Sequence, residues 1–449
     1  MEEVKLGSAK SEQECVERTA RYAQLIPAGQ WVRGNGWDQN AWASRAFPER
    51  VLLDAATPDH PVVLMRVDVH ALWCNERGLQ AAGVSKGTPD PPGGRILRRP
   101  DGSPTGVFID TAMDLVRRAI PRPTVDLAEA NILRSLRALA ALGITNVHDA
   151  AAEPEALEAY RRLAKKDLLP LRVYAMIDGG ADLDEQIPIA LETPELPNFT
   201  VRSVKLFADG ALGSRGAVLG ESYSDDPGNT GLWLTDPRVL EENIAHIASA
   251  GLQPCVHCIG DQACATVLQI FARLPKALRP RAEHLQILKA RDVPLLKKSG
   301  AIASMQPAHA TSDGSWAEER LGHGTERQRG AYAWRQALEA GSVLAFGSDF
   351  PVESPDPRLG LAAAAGRKLA NGTTWMPEQR VTREEALKAF TAGAAYAEFA
   401  EARRGVIREG FDADLTVFER DIMSVHVDEL AKVPIVATVV GGQVVYAGP

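Results

Sequence analysis

Short apolar segments alternate with helical patterns from about residue 125 onward, and this alternation limits the fold more than any other feature of the chain. Seven segments are predicted strands: GITNVHDA (143–150), LRVYAMID (171–178), VRSVKLFAD (201–209), QPCVHCIG (253–260), RAEHLQIL (281–288), AIASMQPAH (301–309) and VLAFGSDFP (343–351). Near-continuous apolar strands separated by helices are typical of a parallel sheet covered by helices. The sequence therefore predicts an α/β fold, with a (β/α)8 TIM-like barrel as its architecture. A closed barrel of this type has eight strands, so the predicted barrel is one strand short.

The chain outside these strands predicts two further regions. Residues 400–449 contain short strands broken by Gly and Asp turns, and Gly441-Gly442 before QVVYAG predicts a hairpin. These strands are too few to bury both faces alone, so we expect part of a small β-sandwich. Residues 28–124 are rich in Pro and Gly, which predicts long irregular binding loops. We therefore expect a barrel over 1–399, with the inserted region at about 28–124, followed by the β module over 400–449.

Charge and cysteine content limit the partners. The net charge of −8 is spread along the chain without a basic block, so nucleic acid and anionic membranes are not expected partners. The acidic N-terminal segment is unlike a secretion signal, and no apolar run approaches the roughly 20 residues of a membrane helix. The five cysteines form no disulfide-scaffold pattern. We expect a cytoplasmic protein with a small-molecule substrate, and a homo-oligomer is compatible with these features.

Several polar side chains lie late in the predicted strands. They are Lys205, His257, His284, His309 and Asp349. In a (β/α) barrel the active site lies at the C-terminal ends of the strands. Imidazole and carboxylate groups are standard ligands of Zn²⁺ and similar ions. A single such histidine is better explained as a neutral core residue that bonds to a backbone carbonyl. Several consecutive strands that bring Lys, His, His and Asp to the same end of the barrel instead indicate a metal centre.

Lys205 interrupts an apolar strand, and the residues alone leave its role open. Burial lowers the pKa of a lysine, and a neutral amine reacts with CO₂ to give an anionic carbamate that can bridge two metals. A structural ion pair with Asp209 or Asp349 explains the position equally well. A Schiff-base role is a third interpretation, but it gives the neighbouring histidines no shared purpose.

An ordered set of motifs resembles the amidohydrolase superfamily. The motifs are VKLFADGALGSR, VHCIGD, AEHLQ, ASMQPAHATSDG, AYAWR and FGSDFPV. The likeness extends to VRGNGWDQNAW, DPPGGRILRRPDGSPTG, YSDDPGNTG and GVIREGFDADLTVFERD. Within the superfamily the chain is most similar to the amidohydrolase-3 branch, which includes N-substituted formamide deformylases.

The resemblance implies a metal-dependent hydrolase that cleaves C–N bonds, other than peptide bonds, of amide-like small molecules by means of a metal-activated water. It implies that Lys205 is a carboxylated lysine that bridges two metals, and that His257 and His284 complete one metal site. Asp349 would be both a ligand and the general base. The implied cofactors are one or two divalent ions, Zn²⁺ foremost, and CO₂ for the lysine carboxylation. Mn²⁺, Fe²⁺ and Ni²⁺ also suit such ligands.

A second set of residues is predicted to bind substrate: Asp68, His70, His148, Asp209, Arg215 and His309. Asp68 and His70 end the segment VVLMRVDVHALW (62–73), where they could also replace an absent metal motif or simply cap a strand. Asp209 and Arg215 flank Lys205 in its motif, and a structural salt bridge explains them equally well.

The chain departs from the family pattern in two respects. The family carries a His-x-His pair at the end of its first barrel strand, and none occurs among the nine histidines here. The family also begins with strands that complete the small β module. We therefore expect a truncated chain without the first barrel strand. The alternative function is that of a truncated or degenerate, non-catalytic amidohydrolase-like protein with an incomplete metal centre.

Overall fold

The computed structural model describes residues 3–180 and 183–448. The chain divides into two compact units. The first unit lies within Met1–Arg122 and Asp209–Thr235, and the second lies within Pro123–Ala208 and Asp236–Pro449. The predicted boundary between residues 399 and 400 stays a prediction.

The first unit is built around a mixed six-stranded sheet. Its strands are β1 (Val4–Lys5), β2 (Val32–Trp37), β3 (Val62–Arg66), β4 (Ala71–Cys74), β5 (Gly94–Arg98) and β6 (Pro104–Asp110). Its described α-helices are α1 (Glu12–Ala23), α2 (Arg50–Ala56), α3 (Glu76–Ala81) and α4 (Met113–Arg117). The strand order is β1-β2-β3-β4-β6-β5, parallel from β1 to β3 and antiparallel beyond.

Residues 28–124 supply most of this sheet, so the prediction of long irregular loops is wrong for most of that region. The Pro and Gly residues that prompted it are concentrated in connections such as 87–94 (GTPDPPGG), whereas the strands between them are short and apolar. Trp37 and Trp73 are fully buried and pack edge to face, with ring centroids 6.4 Å apart. Burial of such large aromatic rings gives this unit a hydrophobic core of its own.

The second unit contains the predicted strand–helix alternation. Its parallel strands are β7 (Asn146–Ala152), β8 (Arg172–Asp178), β9 (Phe199–Phe207), β10 (Gln253–Cys258), β11 (Arg281–His284), β12 (Ile302–Met305) and β13 (Leu344–Phe346). The described helices up to β13 are α5 (Val125–Ala140), α6 (Pro154–Lys165), α7 (Leu183–Glu192), α8 (Pro237–Ser249), α9 (Asp261–Phe271), α10 (Val293–Ser299), α11 (Pro307–Leu321), α12 (Glu326–Arg329) and α13 (Trp334–Glu339). They are followed by α14 (Pro357–Gly366), α15 (Arg383–Lys388) and α16 (Ala394–Ala397).

The seven strands form one parallel sheet in the order β13-β12-β11-β10-β9-β8-β7, which curls as a half-barrel. Every residue of β10, β11, β12 and β13 is buried, as expected for a sheet covered by helices. The predicted α/β class and the seven predicted strands are confirmed. In the register of β10 and β11, Cys258 pairs with His284, so the carboxyl ends of neighbouring strands lie side by side.

A three-stranded antiparallel sheet follows at the end of the chain. It consists of β14 (Leu415–Phe418), β15 (Ile435–Val440) and β16 (Gln443–Ala447). Val440 pairs with Gln443, and Gly441 and Gly442 have φ angles of 58° and 80°. Two successive positive φ angles are what a two-residue hairpin turn requires, so the predicted hairpin is confirmed.

A buried carboxylate, Glu398, joins the segment after α16 to the edge strand β7. Its side chain is 4% exposed and accepts hydrogen bonds from Asn146 at 2.7 Å and from Arg404 at 3.1 Å. Nε2 of His148 lies 3.4 Å from the same carboxylate. Burial alone would raise the pKa of Glu398, but these partners outweigh it and hold the pKa at about 2. The ionised form of Glu398 therefore contributes to the stability of this unit.

Replacement of this carboxylate by an amide (Glu398→Gln) should lower the free energy of unfolding by about 3 kcal/mol at pH 7, because it removes a buried charge whose pKa the fold holds at about 2, well below its ordinary value of 4.5. Arg404 keeps Asp412 as a second partner, at 2.9 Å. The folded-state pKa is depressed, so the contribution exists above the unfolded value near 4.5 and disappears as the pH falls towards 2. The difference between parent and variant should therefore shrink below pH 4.5 in urea denaturation followed by circular dichroism.

Glu401→Gln is the matched control, because Glu401 pairs with Arg279 but its side chain is 39% exposed. This change should cost less than about 1 kcal/mol at every pH. Equal losses for the two variants, or a loss for Glu398→Gln that does not change with pH, would contradict the role given to the Glu398 charge.

Candidate metal centre

The four predicted metal-binding residues lie at or near the carboxyl ends of the parallel strands. Lys205 lies on β9 and His257 on β10, and His284 is the last residue of β11. Asp349 follows β13 by three residues. The parallel register therefore places the predicted residues at one edge of the sheet.

His309 lies on a helix, whereas the sequence predicts it at the end of a strand. Strand β12 ends at Met305, and Pro307 occupies the first position of α11. Proline has no backbone N–H for a strand ladder but suits the first turn of a helix, which explains why the predicted strand over 301–309 is too long. His309 thus projects from the first turn of α11.

Three side chains in the described part of the chain form a group that could hold a metal ion: His284, His309 and Asp349, here called the His-His-Asp group. Their ligand atoms all lie within 4.8 Å of one another. His309 Nε2 is 3.7 Å from Asp349 Oδ2, and the two imidazole rings stack with centroids 6.1 Å apart. Both histidines are buried, whereas the Asp349 side chain is 36% exposed, so solvent reaches the group at the carboxylate.

The chemistry of His309 fits a metal ligand. Burial lowers its pKa to about 4, an effect that His284 adds to and Asp349 opposes. The ring is therefore neutral at pH 7, and the neutral imidazole is the form that binds metals. Its Nε2 atom is buried and makes no hydrogen bond. Buried polar atoms are rarely left in this state, so two imidazoles and a carboxylate at this place fit a divalent cation such as Zn²⁺.

His257 and Lys205 lie beside the His-His-Asp group but are not members of it. The ring of His257 contacts that of His284 at a steep angle, with centroids 4.6 Å apart. Nζ of Lys205 lies 3.8 Å from the ring centroid of Phe207. The structure thus brings His257 and His284 together, and the metal site predicted for the two stays a prediction.

Glu283 is a neighbour of Lys205 that the sequence analysis missed. Lys205 is only 4% exposed, and burial lowers its pKa, while the charges of Glu283 and Asp349 act in the opposite direction. Glu283 directly precedes His284 on a fully buried strand. A charged side chain within a predicted core strand, as with Lys205 itself, was the signal that could have identified this charge pairing.

His148 is part of a buried polar chain that includes Glu283. Arg281 donates to His148 Nδ1 at 2.8 Å and to Glu283 Oε2 at 3.2 Å. The other ring nitrogen of His148 faces Glu398. Both nitrogens are therefore engaged inside the second unit, and the predicted contact of His148 with substrate stays a prediction.

The backbone around the His-His-Asp group is strained. His284, Leu285 and Asp349 have φ angles of 71°, 41° and 57°. Residues other than glycine rarely adopt this left-handed region, and a bulky leucine does so least readily. Such conformations persist where the surrounding structure enforces them, and they are concentrated at functional sites.

In the first unit, Asp68 and His70 lie together in the turn between β3 and β4. Asp68 pairs with the buried Arg66 at 2.5 Å and accepts a hydrogen bond from the His70 backbone at 3.1 Å. Nδ1 of His70 is 2.7 Å from Oδ1 of Asp110, a buried carboxylate that the sequence analysis missed. Val69 has a φ of 56°, which is unusual for a β-branched residue. The turn is therefore tightly held.

Asp209 and Arg215 also belong to the first unit, and each has a local partner. Asp209 Oδ2 accepts a hydrogen bond from the Val218 backbone at 2.8 Å. Arg215 forms an ion pair with Asp225 at 2.8 Å. These contacts organise the loop after β9, and the predicted substrate contacts of the two residues stay predictions.

Comparison with known proteins identifies the family of the chain. A sequence profile described as the amidohydrolase family matches residues 1–446. The chain belongs to the amidohydrolase family. YtcJ of Bacillus subtilis (strain 168) is 32% identical over 98% of this amidohydrolase and 84% of YtcJ. An N-substituted formamide deformylase of Arthrobacter pascens is 25% identical over 96% of this chain and 82% of its own length.

A solved structure of a metal-dependent hydrolase is also similar to this chain. The crystal structure of an uncharacterized metal-dependent hydrolase from Pyrococcus horikoshii OT3 matches 95% of this chain and 83% of its own, with a TM-score of 0.76 and 28% identity. This amidohydrolase is thus a metal-dependent hydrolase with a TIM-barrel-like fold, and its family implies a divalent cation. Across the described residues, the structure contains no helix with the length and apolar character needed to cross a membrane.

Removal of the His309 imidazole should weaken metal binding. His309→Gln should raise the dissociation constant for Zn²⁺ at least about 100-fold, because loss of a residue that merely supports a ligand already costs 10–100-fold. Zn²⁺ binding to chelator-treated protein, measured by competition with a chromophoric chelator, checks this.

His323→Gln provides the control, because the His323 side chain is 87% exposed just beyond the end of the same helix. It should bind Zn²⁺ as the parent does. Unchanged affinity in His309→Gln would exclude His309 from the metal centre.

Proposed function

We propose that this amidohydrolase hydrolyses C–N bonds, other than peptide bonds, in amide-like small molecules. The observation that carries the proposal is the His-His-Asp group, in which two buried histidines lie beside a partly exposed carboxylate. The similarity to an N-substituted formamide deformylase supports an amide as the substrate.

The residues proposed to hold the cation, Zn²⁺ foremost, are His284, His309 and Asp349. His257 and Lys205 lie beside these residues and would supply donors for a second ion once Lys205 is carboxylated. In that reaction the neutral amine of Lys205 attacks CO₂, one N–C bond forms and one proton leaves, which gives an anionic carbamate. Burial favours the neutral amine and so supports this step.

Asp349 is proposed as the general base. A bound divalent cation supplies Lewis acidity, which polarises a carbonyl oxygen and lowers the pKa of water. The Asp349 carboxylate takes a proton from the attacking water and passes it to the leaving nitrogen, so that the C–N bond breaks and an acid and an amine are released. Its partial exposure allows contact with water and substrate, while burial holds the imidazoles in place.

Five residues remain proposed substrate-binding residues: Asp68, His70, His148, Asp209 and Arg215. The Asp110–His70 pair supports this role for His70, because a buried carboxylate bonded to Nδ1 fixes the orientation of the ring. His309 is reassigned from substrate binding to the metal, because its ligand atom lies within the His-His-Asp group.

We also propose an architecture and a cellular location for this amidohydrolase. We interpret the seven-stranded sheet as a (β/α)8 barrel without its first strand, and the three-stranded sheet within 400–449 as part of a small β-sandwich. Five free, buried cysteines support a reducing compartment, and hence the cytoplasm.

An amide screen with Zn²⁺-loaded protein tests this function. N-substituted formamides and N-acyl amines are supplied with bicarbonate, and the released amine is measured with an amine-reactive dye. Asp349→Asn should lower the turnover number at least about 100-fold, as expected for loss of a general base. Turnover should be compared at equal metal content, because Asp349 is also a proposed ligand.

Glu326→Gln is the charge-matched control, because Glu326 is an exposed carboxylate in the first turn of α12. It should retain parent activity. The proposal is wrong if metal-loaded parent protein releases no amine from any amide, or if Asp349→Asn turns over as the parent does.

A further inference from the structure

We propose that Gln306 is a positioning residue of the metal centre, and that its amide holds the His284 ring in the tautomer whose Nε2 is the donor. The inference rests on the proposed function, since it takes His284 as a metal ligand. It assigns a role to a residue that the strand-end pattern did not identify.

The hydrogen bonds of Gln306 determine which of its amide atoms faces His284. Oε1 of Gln306 is 2.8 Å from His284 Nδ1, and Nε2 of Gln306 donates to the Ser304 carbonyl at 3.4 Å. Because the Gln306 amide nitrogen donates to the Ser304 carbonyl, the amide oxygen is the atom that faces the His284 ring. A carbonyl oxygen only accepts, so His284 Nδ1 carries the proton and Nε2 keeps its lone pair.

The local fold explains why the amide is available for this contact. Gln306 is the N-cap residue of α11, but its side chain makes no capping hydrogen bond. Glutamine is not among the residues favoured at an N-cap, where short polar side chains bond to the first turn. The Gln306 side chain is instead buried against His284, and the next turn of the same segment carries His309. The short segment 304–309 therefore positions the imidazole rings of both His284 and His309.

The expected size of the effect follows from how histidine ligands behave. The second ring nitrogen of a metal-ligating histidine almost always donates to an acceptor that fixes tautomer and orientation, and loss of that acceptor costs 10–100-fold in metal affinity. Without Gln306 the ring would exchange between tautomers, and in one of them Nε2 carries a proton and cannot bind a metal.

Gln286 offers a matched control within the same cavity. This cavity is lined by His284, Gln286, Met305, Gln306, His309, Tyr332 and Trp334. Gln286 is buried like Gln306, but its amide donates to the Tyr332 hydroxyl and not to His284. The pair Gln306→Leu and Gln286→Leu therefore removes the same amide from the same cavity, and only the first removes the acceptor of His284.

The dissociation constant for Zn²⁺ is measured on the full chain after chelator treatment, by competition with a chromophoric chelator. Gln306→Leu should weaken binding about 10–100-fold, whereas Gln286→Leu should bind as the parent does. Gln306→Glu should stay close to the parent, because a carboxylate accepts the same hydrogen bond. Gln306→Met keeps the side-chain length without a strong acceptor, and it should reproduce the loss if the leucine variant does not fold.

A spectroscopic measurement separates positioning from packing. In metal-free protein with ¹⁵N-labelled histidine, the His284 signals are assigned by their loss in His284→Gln. They should show the Nδ1–H tautomer in the parent and in Gln306→Glu, and a mixture of tautomers in Gln306→Leu. A purely structural role for Gln306 would leave the tautomer unchanged.

The possible failures are distinguishable. Equal Zn²⁺ affinity in parent and Gln306→Leu, or an unchanged tautomer, would overturn the positioning role and leave the proposed function standing. A loss of affinity in Gln286→Leu equal to that in Gln306→Leu would also overturn it. A parent protein that binds no Zn²⁺ would overturn the proposed function and this inference together.

Discussion

The parallel register of the central strands is the constraint on which the chemistry of the second unit depends. In β9, β10 and β11 the hydrogen-bonded ladders fix residues next to one another, as when Cys258 pairs with His284, so successive strands end at the same edge of the sheet. Side chains that are far apart in the chain therefore meet without any long flexible segment. The helices bury these strands. Burial also lowers the pKa of His309 on the adjoining helix, so its ring stays neutral.

Burial also explains the polar chain inside the sheet. A lysine and an arginine cannot be taken out of water alone, and each has carboxylates nearby: Lys205 has Glu283 and Asp349, and Arg281 has Glu283. His148 and Glu398 continue this chain to the edge strand β7. The paired charges of Lys205, Arg281 and Glu283 thus lie close to the His-His-Asp group. The stability and the chemistry of this unit therefore depend on the same residues.

The sequence predicted the parts of the fold that local patterns determine. Apolar segments of strand length identified all seven parallel strands, and Gly441-Gly442 identified the terminal hairpin. The sheet of the first unit was missed because its strands are short and are paired across Pro- and Gly-rich connections, a long-range property that no local window contains. His309 was placed on a strand because the effect of Pro307 was overlooked, and Gln306 was missed because its role depends on a contact across 22 residues of sequence.

X-ray absorption spectroscopy of the Zn²⁺-loaded protein most directly tests the claim that the His-His-Asp group binds a metal. It identifies the donor atoms around the zinc and does not require knowledge of the substrate. We expect nitrogen and oxygen donors at about 2.0–2.1 Å, with the outer-shell scattering that imidazole rings produce, and no sulfur. The imidazole signal should decrease in His309→Gln. Sulfur scattering at about 2.3 Å, or an imidazole signal that is unaffected by the loss of His309, would contradict the proposed centre.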